Sequence, residues 1–225
     1  EIFIDSSAGI TTNVLDAVGG DNVNNLDGLT FDTGFEPDYH IWFNEDDVTP
    51  GLQMNMYISD LVTSNTSVYT DIFGGSFEGF ALTGTGDANA SPISVGFDNS
   101  NTAGVGGTTG AAADTNAAVA VTTGMELCIA LSDIGDPPTG QIEVAAFINN
   151  GDHNYLANQT LGGLPVATGN LGGDGTGVFT GDASGIDFTT FAGDQFFTVD
   201  VVAGAVIGPF SIIDIQLING STDVQ

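Results

Sequence analysis

Short runs in which apolar and polar residues alternate, each closed off by Gly, Asn, Asp or Thr, recur along the whole chain. A period of two sends every second side chain to one face, so these runs favour half-buried strands over helices. The clearest lie at 1–5, 39–43, 52–58, 93–97, 125–131, 141–148, 195–202 and 206–218. Many short strands with frequent turn clusters predict an all-β fold, an antiparallel β-sandwich of jelly-roll-like type. The 33 glycines and the stretches 99–116 and 162–185 add long Gly-, Asp- and Asn-rich loops. No Pro- or Ser-rich linker divides the 225 residues, so one domain spanning 1–225 is expected.

The chain carries 29 Asp and Glu and no Lys or Arg, a formal net charge of -29. An average soluble domain of this size would hold roughly 25 basic residues. Nucleic acid and anionic lipid are thereby excluded as partners, because both need Lys and Arg to replace their counterions. Such a charge also repels itself unless salt screens it or cations bind, which makes calcium the expected cofactor. Asp outnumbers Glu by 23 to 6, and Asp is both a turn former and a hard oxygen ligand. With 41% hydrophobic residues and 15 Phe, the chain has the apolar mass for a core that an acidic disordered segment lacks. No apolar run of membrane-spanning length is present, so a soluble chain without membrane insertion is expected. Glu1 opens directly on an alternating run, which reads as a chain trimmed from a longer product. Cys128 is alone, so there is no disulfide framework, and its place in the run 125–131 favours a buried, inert thiol.

Two acidic segments have the composition of calcium loops. Residues 21–28 (DNVNNLDG) space the oxygens of Asp21, Asn24 and Asp27 around a Gly turn, without the spacing of an EF-hand. Asp32, Glu36 and Asp38 follow within seven residues, and Asp5 at the end of the first run can join them in an ion site that fixes the strand ends. Turn chemistry alone selects the same residue types, so a solvated acidic turn is the competing reading. The cluster 44–47 (NEDD) is a third acidic group, and 172–177 (GGDGTG) falls short of a calcium β-roll repeat because Gly177 stands where an Asp is needed.

No enzyme is expected. The two histidines, His40 and His153, lie near no nucleophile-elbow pattern, and no fixed positive charge is available to stabilise an oxyanion or a phosphate. Alternation through 39–43 (YHIWF) sends Tyr39, Ile41 and Phe43 to one face and His40 with Trp42 to the other. Either His40 and Trp42 form an outer sugar-stacking platform, or Trp42 is core beneath a second layer. Asn65, Asn158 and Asn219 head N-glycosylation sequons of a kind that composition alone produces in an Asn- and Thr-rich chain.

The segments 1–6 (EIFIDS), 26–39 (LDGLTFDTGFEPDY), 98–105 (DNSNTAGV), 121–126 (VTTGME), 147–173 and 193–199 (GDQFFTV) resemble a family of bacterial secreted surface domains that often carry C-terminal sorting signals. These are similar in turn to the sandwich of family-nine carbohydrate-binding modules and DOMON-type domains. The resemblance implies a β-sandwich without fixing a ligand, since that fold hosts several functions. Strands usually precede the EIFIDS segment in this family, and their absence here implies an open strand position. The expectation is a non-catalytic, extracellular or cell-surface structural protein, calcium-stabilised. Copies of it would assemble into filaments or a surface layer by strand donation, with 201–218 as the candidate donor. A carbohydrate-binding module, with polysaccharide as partner, is the alternative.

Overall fold

The computed structural model describes residues 1–46, 53–74, 78–98, 100, 123–137, 140–164, 170–172, 183–201 and 211–215, with backbone only at 45, 46, 53, 74, 78 and 211–215. The strands are β1 (Ile2–Asp5), β2 (Tyr39–Asp46), β3 (Gln53–Asp60), β4 (Asn65–Gly74), β5 (Glu78–Leu82), β6 (Ser94–Asp98), β7 (Gly124–Ile129), β8 (Gln141–Asn149), β9 (Leu156–Thr160), β10 (Phe197–Asp200) and β11 (Ser211–Ile215). They form two antiparallel sheets. The first runs β10-β8-β1-β2-β3-β4, with β9 also pairing with β8, and the second runs β11-β7-β6-β5. The chain is thus an all-β antiparallel sandwich. Among the described residues helix is limited to 3-10 turns at 23–26, 131–134 and 188–190, and no helix is long and apolar enough to cross a membrane.

Alternation explains the inner core. Ile2, Ile4, Tyr39, Ile41, Met56, Ile58, Ile142, Val144 and Ala146 of the first sheet pack against Val95, Leu127 and Ile129 of the second. The opposite face of the first sheet is apolar as well. There Phe3, Trp42, Ala145 and Phe147 lie under a layer of loop residues that includes Leu15, Val23, Leu26, Leu29, Phe31, Phe35, Ile186 and Phe188. Each such side chain gains about 1.5–3 kcal/mol by leaving water, which is what holds irregular backbone flat against a sheet. The molecule is therefore layered as sheet, sheet and loop cover.

Three strands, β4, β5 and β9, occupy segments where no strand is expected from the sequence. Five of the ten β4 residues are Asn, Thr, Ser or Asp, and among the described strands β4 ends the order of the first sheet. Of the expected donor segment, 211–215 is strand β11 and pairs with β7, while 202–210 and 216–218 lie outside the described residues. β1 is flanked by β8 on one side and β2 on the other, so no open strand position lies beside the EIFIDS segment. Cys128 is half-buried rather than buried.

Candidate functional site

Strand parity puts Glu1 on the covered face. Its amino group donates to the Phe147 carbonyl at 2.9 Å and its C=O accepts from Phe147 N at 3.0 Å, extending the β1–β8 ladder, which sends its side chain to the same side as Phe3. A carboxylate there has no water, since its side chain is 0% exposed. It is satisfied instead by both histidines of the chain. His40 Nε2 on β2 donates to Oε2 at 2.5 Å, and His153 Nδ1, in the turn after β8, donates to Oε1 at 2.6 Å. Asn149 Nδ2, at the end of β8, adds a bond to Oε1 at 2.5 Å.

The cluster extends outward through His153, whose Nε2 lies 3.6 Å from Asp21 Oδ2, while Asn44 Nδ2 donates to that same oxygen at 2.6 Å. Asn25 Nδ2 donates to the Asp152 carbonyl at 2.7 Å, so the loop after β1 and the turn after β8 are tied across the end of the sheet. His153 holds a left-handed backbone, φ +55°, a conformation that a ring anchored on a buried carboxylate can sustain. Trp42 stacks on Tyr57 at 4.8 Å and on His40 at 4.7 Å and meets His153 edge-on at 6.4 Å. Gly19 closes the lid over it: a Cβ there would sit 2.6 Å from Trp42 Cη2, and its φ of +140° is open only to glycine.

Charge within the cluster is divided unevenly. Burial works against ionisation of Glu1, but the chain's amino group and the hydrogen bonds from His153 and His40 outweigh it and hold the carboxyl well below its usual range. Burial pushes His40 down, against the pull of Glu1. Burial also acts to lower His153, but its bond to Glu1 and the charges of Glu1 and Asp21 more than reverse this, and it is raised. One carboxylate is thus shared by two imidazoles whose titrations are displaced in opposite directions.

The residues expected to bind an ion are distributed among separate tasks. Asp38, 0% exposed, accepts from Ser6 N, Ser6 Oγ, Ala8 N, Gly9 N and Ile10 N at 2.8–3.2 Å, which occupies both its oxygens. Asp5 accepts from Ser7 N at 2.9 Å and Glu36 N at 2.8 Å, and burial pushes it up from its ordinary value. Asp32 accepts from Gln195 N at 2.6 Å, Asp27 from Ala17 N at 2.7 Å, and Asn24 is exposed. The structure thus brings Asp5, Glu36 and Asp38 into one neighbourhood but sends Asp21 to the histidine cluster and Asp27 and Asp32 elsewhere. Among the described residues no group of three or more His, Cys, Asp or Glu is placed to hold a metal ion. Backbone N–H groups take the part that Lys and Arg play in other proteins: a concave run of amides binds an anion without any side-chain cation.

The outer-platform reading of His40 and Trp42 needs correction. Both do leave the inner core, as alternation requires, but the face they join is roofed by the loop layer and each is 0% exposed. Asn158 is 8% exposed on β9, so as a glycosylation acceptor it is enclosed, whereas Asn65 is exposed at the start of β4. Asn219 lies outside the described residues. The sequence analysis does not mark Glu1 or Asn149; the available signal is an acid sharing parity with Phe3 at the head of the apolar run 2–4. Compared with models of known protein families, with curated proteins and with solved structures, the chain matches none.

Proposed function

We propose that this chain is a non-catalytic structural component of an extracellular or cell-surface assembly, built from copies that join by exchanging their C-terminal strand. The observation that carries it is the place of β11. Among the described residues this strand pairs with β7, at one end of the second sheet's strand order, from Ser211 opposite Ile129 to Ile215 opposite Met125. A strand that completes the edge of a sheet is equally able to complete the same edge of a neighbour, because the ladder bonds are identical in both arrangements. The enclosure of Glu1, both histidines and Trp42 supports the non-catalytic part, and it removes the aromatic platform that a carbohydrate-binding reading needs. Calcium or salt acts in this reading on the mutual repulsion of the 29 carboxylates.

The register offers a direct test. Ile212 lies opposite Cys128, the lone cysteine, so Ile212→Cys places two thiols on paired positions. Oxidation is expected to give internally crosslinked monomers when dilute and a ladder of disulfide-linked multimers when concentrated. A crosslinked monomer alone at every concentration contradicts strand exchange.

A further inference from the structure

We propose that Glu1, His40 and His153 form an acid-sensitive clasp that holds the Gly151–Asn154 turn and the loop around Asp21 over Trp42 at neutral pH and releases them on acidification. Two ring nitrogens of the cluster, His40 Nδ1 and His153 Nε2, are buried without a hydrogen-bond partner, and only the second faces a carboxylate, Asp21 Oδ2 at 3.6 Å. His40 Nε2 is committed to Glu1, so an added proton goes to His40 Nδ1, which is buried and has no hydrogen-bond partner. An N–H placed there is both unsatisfied and charged, which is costly in an apolar layer.

The surroundings offer little compensation. Facing the two rings are the Glu1 carboxylate and the chain's amino group, the Asp21 carboxylate from the loop, the Asn149 amide, and the rings of Phe3 and Trp42. Glu1 is already bonded to His153, and both that ring and the amino group oppose a charge on His40. Opening restores water to His40. The elements positioned to move are those held through polar links: the turn through His153 on Glu1, and the Asp21 loop through His153, Asn44 and the Asn25–Asp152 bond. The inner sheet-to-sheet core has no part in the clasp, so the sandwich stays folded while the cover lifts.

Trp42 is the sole tryptophan and stacks directly on His40, so its fluorescence reports this site alone. The full chain is titrated from pH about 7.5 to about 4.5 while Trp42 emission, far-UV circular dichroism and amide exchange are followed. The expected result is a red shift of Trp42 emission and lost protection at 150–155 and 19–25, with the strand signal unchanged. His40→Gln keeps a donor near the Nε2 position without a titrating ring, and it is expected to abolish the shift in the range where His40 protonates. His153→Asn, which keeps a donor near the Nδ1 position, is expected to leave that shift in place. Emission that is invariant in the wild-type chain, or that moves only together with loss of the strand signal, overturns the clasp. So does a shift that survives unchanged in folded His40→Gln.

Discussion

His40 and His153 meet on opposite oxygens of one buried carboxylate, at 2.5 and 2.6 Å from Glu1, yet their own titrations are displaced in opposite directions. That opposition gives the chain's stability a characteristic pH dependence. His153 is raised above 6.5, so between 6.5 and its folded value the folded chain holds a proton that the unfolded chain releases, and stability falls as pH rises through that window. His40 is lowered, so below 6.5 the unfolded chain takes up a proton that the folded chain refuses, and stability falls as pH drops. Glu1 is held low and adds a further loss as pH falls below 4.5. Subtracting each variant's melting curve from that of the wild type isolates these contributions. His153→Asn should flatten the alkaline limb, and His40→Gln should remove the loss that begins at 6.5.

Asp38 is the main internal counter-group for the start of the chain. Asp38→Ala leaves the buried amide of Ser6 and the amides of Ala8, Gly9 and Ile10, whose bonds are partly buried, without their acceptor. A loss of about 2–4 kcal/mol is expected by urea denaturation, given that bonds to a charged acceptor contribute about 1.5–3 kcal/mol each and some of the amides recover water. A loss no greater than that of an exposed control such as Asp200→Ala contradicts this role.

Gly19→Ala tests the fit of the loop cover. The added methyl meets the Trp42 ring and the backbone is strained at φ +140°, so a cost of about 1–3 kcal/mol is expected. Trp42 emission should shift red in the same variant, because the overlying loop is forced away from the ring.

The excess of negative charge predicts salt dependence of the usual screening form. The melting temperature should rise steadily with sodium chloride as the repulsion among carboxylates is screened. In the proposed calcium-stabilised form, calcium chloride raises it further at matched ionic strength and EGTA reverses the difference. Equal curves for the two salts would assign the effect to screening alone.

How far the sequence was legible depends on which side of the first sheet a residue faces. Ile2 and Ile4, or Tyr39 and Ile41, alternate with residues of the other face, and that period alone places them in the inner core. The cover over Phe3 and Trp42 has no period to read. Leu15, Val23, Leu26, Leu29, Phe31 and Phe35 fall at irregular spacing, and their burial follows from the three-dimensional course of the loop. The acidic segments were visible by composition but their role was not: Asp in a turn is selected equally by a cation and by a run of backbone amides, and Asp38 accepts from such a run.

The most direct test of strand exchange is electron microscopy of the purified chain across a concentration series, beside a truncation that ends before Ser211. The account predicts filaments or sheets from the full chain at high concentration and none from the truncated one. A full chain that remains monomeric at every concentration, with calcium and salt present, would contradict it.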